Sequence, residues 1–382
     1  MLKVVATCYI CMQVCKNMNC LRYFCPLKIY GLMKVVIDEK IPYIKDALLA
    51  MGMDVVALPG VDIKKVDLLD ADALFVRTRT KCNKELLSGT AVRFIGTATI
   101  GYDHIDAGYC SENGIFWTNA AGCNAGAVLQ YVQSVIYLWA RDNGCDLSGL
   151  TIGVVGVGEI GSRVAAWANG VGMKVLANDP PKTDSGVGGL VALSQIAEEC
   201  DIVTFHPTLN LSGPYKSYHL ADEAFFGSLC RCKLLINASR GEVVDNTALL
   251  AAMERGAIGC VALDVWENEP VINIPLLNKV YVATPHIAGY SAEGKFNATS
   301  MVLDAFARFF SYAGAVPQLA LDAPEQPVVK AATEQEALLS IYSPIDDTTA
   351  LRSAPSDFEK LRNGYNLRRE PSAYRIELVG KY

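Results

Sequence analysis

The stretch Thr151-Ile-Gly-Val-Val-Gly-Val-Gly-Glu-Ile-Gly161 constrains this chain more than any other. An apolar, β-branched run flows into Gly156, Gly158 and Gly161. A helical pattern follows to Gly172, and a second apolar run from Lys174 stops at Asp179. Strand, glycine turn, helix, strand and acid is the order a dinucleotide site requires. Gly156 permits the tight turn, Gly158 lets backbone N–H groups approach a pyrophosphate, and Gly161 lets helix and strand pack closely. The helix opened by Glu159 and Ile160 directs its positive end at the anion, so both residues are counted with the cofactor site. Asp179 stands where a carboxylate accepts hydrogen bonds from the adenosine ribose and repels the extra phosphate of NADP. The expected cofactor is NAD.

The rest of the composition narrows the class. The 382 residues are enough for two or three domains, and the net charge of −6 comes without a basic block or an aromatic-basic stripe. Nucleic acid is therefore not an expected partner. Beyond the N-terminal extension no apolar run reaches the roughly 20 residues that span a bilayer, so no membrane association is expected. Five of the thirteen cysteines, Cys8, Cys11, Cys15, Cys20 and Cys25, crowd the first segment, and eight are scattered. Scattered thiols suit a reducing cytoplasm. Cys8 and Cys11 form a C-x-x-C without a second pair or a nearby His, so no metal is expected. Lys3 before Val4–Val14 resembles a weak signal peptide but lacks a convincing cleavage site. Met33-Lys-Val-Val-Ile-Asp reads as the start of a first strand, leaving 1–32 as an extension that is disordered or not native.

From Met33 the pattern alternates strand and helix. Strands are expected at Val35–Ile37, Asp54–Ala57, Ala73–Arg77, Phe94–Thr97 and Ile115–Asn119, with a helix at Ile44–Met51. A long helical pattern from Asn124 past Trp139 carries the chain to a second unit. Its strands are Ile152–Val155, Val175–Ala177, Ile202–Phe205, Leu234–Asn237, Cys260–Asp264 and Val280–Ala283. The helical pattern Glu293–Phe310 returns the chain to the first unit. This predicts an α/β protein: a Rossmann-type doubly wound NAD domain at 126–286 and a flavodoxin-like, split substrate domain at 33–125 and 287–311. After Val316 prolines interrupt a weaker pattern. Residues 312–382 read as a small dimerisation segment with a helix at Phe358–Leu367 and a strand at Tyr374–Val379.

Three segments in the second half place polar residues just past apolar runs, where such folds carry their active groups. Arg240, in Asn237-Ala-Ser-Arg-Gly, can fork onto a carboxylate. His286, in Thr284-Pro-His-Ile-Ala-Gly-Tyr, can take a hydroxyl proton, and Glu269 can hold the other imidazole nitrogen in one tautomer. Read singly, each has a bland alternative: a surface arginine, a satisfied structural histidine, a turn glutamate.

Glycine fingerprint, Arg, Glu and His in this order resemble the D-isomer-specific 2-hydroxyacid dehydrogenases over nearly all of Met33 to Phe310. The resemblance implies Arg240 as substrate anchor and Glu269–His286 as the acid–base pair. It places Asp264 near the nicotinamide carboxamide and Gly289 as a backbone neighbour of the cofactor. Asp38-Glu-Lys-Ile-Pro-Tyr, Val76-Arg-Thr-Arg-Thr-Lys, Gly96-Thr-Ala-Thr and Ala121-Gly-Cys-Asn-Ala carry it into the first unit. Thr78, Thr99 and Tyr290 are implied as substrate contacts, in a homodimer acting on a small phosphorylated hydroxy acid. Arg77, Arg79 and Lys81 are candidates for the phosphate, although strand alternation would turn only one face to the site. Gln130 stands where many members carry Glu, an exchange expected to alter a supporting hydrogen bond. Two alternatives stay open: another D-2-hydroxy acid, such as 3-phosphoglycerate or glycerate, or an NAD-sensing protein without turnover.

Overall fold

The computed structural model describes residues 32–379. The five crowded cysteines, and the expectation for 1–32 apart from Leu32, lie outside the described residues. The first unit is a five-stranded sheet of β1 (Lys34–Asp38), β2 (Asp54–Leu58), β3 (Ala73–Val76), β4 (Phe94–Thr97) and β5 (Phe116–Asn119). Its order is β2-β1-β3-β4-β5 and every pairing is parallel, the flavodoxin-like arrangement. The second sheet holds β6 (Thr151–Val155), β7 (Lys174–Asn178), β8 (Ile202–Phe205), β9 (Leu234–Asn237), β10 (Cys260–Leu263) and β11 (Val282–Ala283). It is also all parallel, in the order β11-β10-β9-β8-β6-β7. A single bridge, Ala177 to Leu190, adds a vestigial strand beyond β7.

Parallel sheets are covered on both faces, which is why their strands read as near-continuous apolar runs. β3, β4, β6, β8 and β9 are buried at every position. In the second sheet, chain order reverses at β6, which has β7 on one side and β8 on the other. Such a switch opens a crevice at the carboxyl ends of the strands, and the glycine turn leaves β6 there. Two 18-residue helices join the units, Ala125–Asp142 and Ala292–Phe309. The first is buried along most of its length. The second packs Ala298, Val302 and Phe306 with Phe75 and Phe94 of the first sheet.

The C-terminal region contains more structure than its sequence pattern suggests. β12 (Val328–Ala331) pairs in parallel with β13 (Arg375–Leu378), and helices Glu334–Ile341 and Ile345–Ser353 stand between them. The helix expected at Phe358–Leu367 stops at Asn363, where Gly364 follows. Leu351 and Phe358 join the core of the second sheet, while Leu338 and Tyr342 pack beside Val135 and Trp139. The segment is thus anchored to its own chain. Among the described residues, no helix is long and apolar enough to cross a membrane.

Candidate active site

At the switch point the backbone requires glycine twice over. Gly156 has φ +85°, and a Cβ there would lie 2.5 Å from the Pro207 nitrogen. A Cβ on Gly161 would lie 1.9 Å from the Gly156 carbonyl oxygen. Gly158 caps the helix Glu159–Gly170 and faces open space, so its backbone is accessible to a ligand at the helix N-terminus. These residues fit a pyrophosphate. Glu159 reaches across to Gly122, and Ile160 packs on the core beneath. Asp179 accepts from the Val157 N–H at 2.8 Å and from the Lys182 N–H at 3.2 Å, so it also ties the turn to the next helix. Gly161→Ala should raise the dissociation constant for NAD at least tenfold, read by fluorescence titration. Unchanged affinity would show that the turn tolerates the methyl group.

The centre of the site follows β10 and β11. Asp264 is fully buried beneath the loop after β11. Its carboxylate accepts from Thr284 Oγ1 (2.7 Å) and from the Ile287 and Ala288 N–H groups (2.8 and 2.9 Å). Burial pushes its carboxyl above the usual range, opposed by His286 and by these hydrogen bonds. The Asp264 carbonyl accepts from the His286 N–H at 2.7 Å. This clasp holds His286 at φ +58°, a left-handed conformation that a non-glycine residue seldom adopts. His286 Nδ1 lies 2.8 Å from Glu269 Oε2, and Glu269 Oε1 accepts from the Trp266 N–H at 2.9 Å. With Nδ1 donating to a carboxylate, Nε2 is left as a proton acceptor. Asp264, expected near the nicotinamide carboxamide, is buried and also clasps the loop that carries the histidine.

Arg240 lies three residues past β9. Asn237 Nδ2 donates to its carbonyl at 2.9 Å, and its own Nη1 donates to the Ser239 carbonyl at 2.8 Å. The guanidinium reaches the first unit: a Cβ on Gly101 would lie 3.6 Å from Nη2. In that loop Thr99 Oγ1 donates to the Gly101 carbonyl and shares a 2.6 Å hydrogen bond with Thr97, which also meets His104 Nε2 at 2.9 Å. Burial, opposed by Asp103, lowers the His104 pKa. His104 lines a cavity of about 470 Å³ with Thr78, Lys81, Asn83 and Asp103. Thr78 lines this cavity, and Thr99 is tied to its wall through Thr97 and His104. The candidates for phosphate divide: Arg77 Nε is held by Asp38 at 3.0 Å, and Arg79 lies 3.9 Å from Glu359. They follow β3 in a loop, so strand alternation does not sort them.

Several residues enter from the C-terminal region, which the sequence reading did not connect to the site. Arg368 is buried and donates to Gln130 Oε1 at 3.0 Å, to the carbonyls of Ala127, Ile287 and Tyr290 at 3.0, 3.0 and 3.1 Å, and to that of Ala288. Gln130 Nε2 returns a bond to the Arg369 carbonyl at 3.1 Å. The neutral amide therefore serves as acceptor and donor at once, which a carboxylate cannot. Arg362 donates from Nε to the Tyr290 hydroxyl at 3.2 Å and stands 4.0 Å from Glu269. Gly289 lies against Asn124, where a Cβ would meet the side-chain nitrogen at 2.0 Å. Elsewhere His219, Asp245 and Glu267 place ligand-type atoms within 4.8 Å of one another, with His219 and Glu267 paired at 2.7 Å. The only signal for Arg362 and Arg368 was a pair of basic stretches in an irregular tail.

A doubly wound sheet with a glycine turn at its switch point and a carboxylate-held histidine defines an NAD-dependent dehydrogenase. Residues 128–288 match the model of the D-isomer specific 2-hydroxyacid dehydrogenase NAD binding domain, and the chain belongs to that family. It is 51% identical over 345 residues to an erythronate-4-phosphate dehydrogenase of Bacteroides thetaiotaomicron, covering 90% of this chain and 99% of the relative. A second relative of the same name, from Shigella flexneri, is 42% identical over 357 residues, covering 89% and 93%. Among solved structures, NAD⁺-bound 3-phosphoglycerate dehydrogenase of Entamoeba histolytica superposes with a TM-score of 0.60 at 26% identity. That match covers 75% of this chain and 97% of the other.

Proposed function

We propose that the protein oxidises erythronate 4-phosphate at C2 with NAD, giving (R)-3-hydroxy-2-oxo-4-phosphooxybutanoate in the synthesis of pyridoxine 5′-phosphate. The observation that carries this reading is the extent of the likeness to the erythronate-4-phosphate dehydrogenases, which takes in 90% of this chain. Units 33–125 with 287–311 hold the substrate, 126–286 hold NAD, and 312–382 join two copies. Val328, Leu378 and Val379 stay exposed on the small terminal sheet, which suits a homodimer. The eight described cysteines carry no disulfide, which suits the cytoplasm.

Arg240 binds the substrate carboxylate through its fork and polarises the adjoining carbon–oxygen bond. His286 Nε2 takes the proton of the C2 hydroxyl, and the positive imidazole that results is stabilised by Glu269 across the 2.8 Å contact. The C2–H bond breaks with its electron pair as the carbonyl forms. Bound NAD, held by the glycine turn and Asp179, supplies the hydride acceptor. Gly289 keeps the backbone close to the cofactor side, while Thr78, Thr99 and Tyr290 present hydroxyls to the substrate.

The purified protein should reduce NAD with erythronate 4-phosphate, with or without an added 2-oxo acid as acceptor. Turnover should exceed that with 3-phosphoglycerate, glycerate or lactate. Activity confined to one of those acids would overturn the substrate. Silence with all of them would favour an NAD-sensing role.

A further inference from the structure

Lys295 stands in the first turn of the helix Ala292–Phe309, whose positive end adds to its charge. Its ammonium lies over the Tyr290 ring, 4.7 Å from the centroid, and has no carboxylate partner among the described residues. Burial lowers its pKa, and the neighbouring charges of Arg77 and Arg362 act in the same direction, partly offset by Cys123. Arg362 meets the hydroxyl of the same tyrosine, and the tyrosine is four residues past His286. Two cations therefore converge on one ring beside the acid–base pair. Arg77 is engaged by Asp38 at 3.0 Å, and Arg79 and Arg362 each stand 3.9 Å from Glu359, with Arg362 also 4.0 Å from Glu269. Lys295 is thus the cation of this group left without a carboxylate among the described residues, and an anion joining it would relieve the repulsion from Arg77 and Arg362.

We propose that Lys295 and Arg362, together with the Tyr290 hydroxyl, form the subsite for the substrate phosphate, so that the C-terminal segment supplies a specificity determinant through Arg362. The placement rests on the substrate reading above and extends it. The contact path runs from His286 to Glu269, then Arg362, Tyr290 and Lys295. That path passes behind the imidazole at Nδ1, so the placement rests on Tyr290, an expected substrate contact four residues past His286 that both cations meet. A phosphate dianion there neutralises Lys295 and takes the guanidinium fork of Arg362.

The test uses the full-length protein saturated with NAD and titrated with inorganic phosphate by calorimetry. Lys295→Met and Arg362→Met should each weaken phosphate binding by about tenfold or more, the scale of a lost charge-assisted hydrogen bond. Lys295→Arg should keep most of the affinity. In turnover, Lys295→Met should lower the preference for erythronate 4-phosphate over erythronate, as a ratio of kcat/KM, by about tenfold, and the Lys295→Met, Arg362→Met double variant by about 10²-fold. Thermal melting checks each fold, and Arg362→Lys, which keeps charge without the fork, stands in if Arg362→Met does not fold. Unchanged phosphate affinity in folded Lys295→Met, or no phosphate binding by the parent, would overturn the subsite. Weakened phosphate binding without oxidation of erythronate 4-phosphate would leave the subsite standing and remove the substrate reading.

Discussion

Replacing His286 by alanine is expected to lower kcat by about 10²–10⁴-fold, the usual contribution of a placed general base. NAD affinity should stay within about threefold of the parent on that argument, because the imidazole handles a proton and leaves the glycine turn alone. The expectation rests on a geometry with several supports. Asp264 clasps the Ile287 and Ala288 N–H groups and its carbonyl takes the His286 N–H, so the histidine is held in a left-handed conformation. Glu269 then occupies Nδ1 and leaves Nε2 to accept. Steady-state turnover beside a fluorescence titration of NAD separates the two effects. A variant that retains a third of parental kcat would remove His286 from the role of base.

Arg368→Met should lower the free energy of unfolding by about 3–5 kcal/mol, the range found when one member of a buried, hydrogen-bonded charge system is removed. The guanidinium serves the carbonyls of Ala127, Ile287, Ala288 and Tyr290 and the Gln130 side chain, with the Tyr342 ring 4.3 Å away. Methionine fills part of the space but donates nothing, so these carbonyls lose a partner in a place that water does not reach. Each such loss costs about 1–3 kcal/mol before relaxation. Three of the four carbonyls belong to residues 287–290, directly after His286, so kcat should fall as well in the protein that remains folded. Arg368→Lys should lie between the two, because an ammonium cannot present the same fork. Urea unfolding of the cofactor-free protein measures the first effect. A change below about 1 kcal/mol would mean the loop holds itself.

The two large sheets were legible because their signals are local. Parallel strands buried on both faces leave short apolar runs, and helices between them leave their own period, so β1–β10 could be placed within about two residues. β11 proved shorter than its apolar run, and the 312–382 region concealed β12 and two helices. A two-stranded pair closing over more than forty residues, with half its side chains exposed, leaves little alternation to read. The glycine turn was legible for a stricter reason. Positive φ at Gly156 and the contact of Gly161 with the Gly156 carbonyl exclude any side chain, so the requirement is written at each position.

Sequence alone therefore determined the alternating α/β plan, the cofactor turn and the Arg240, Glu269 and His286 candidates at strand ends, all of which follow from local periodicity and steric demand. Tertiary structure decided the rest. It made Asp264 a buried clasp, gave Gln130 a two-way amide contact, and brought Arg362 and Arg368 to a loop more than seventy residues earlier in the chain. No period or propensity records such meetings. They arise when packing of the C-terminal segment leaves buried carbonyls and a tyrosine hydroxyl that only distant donors can satisfy.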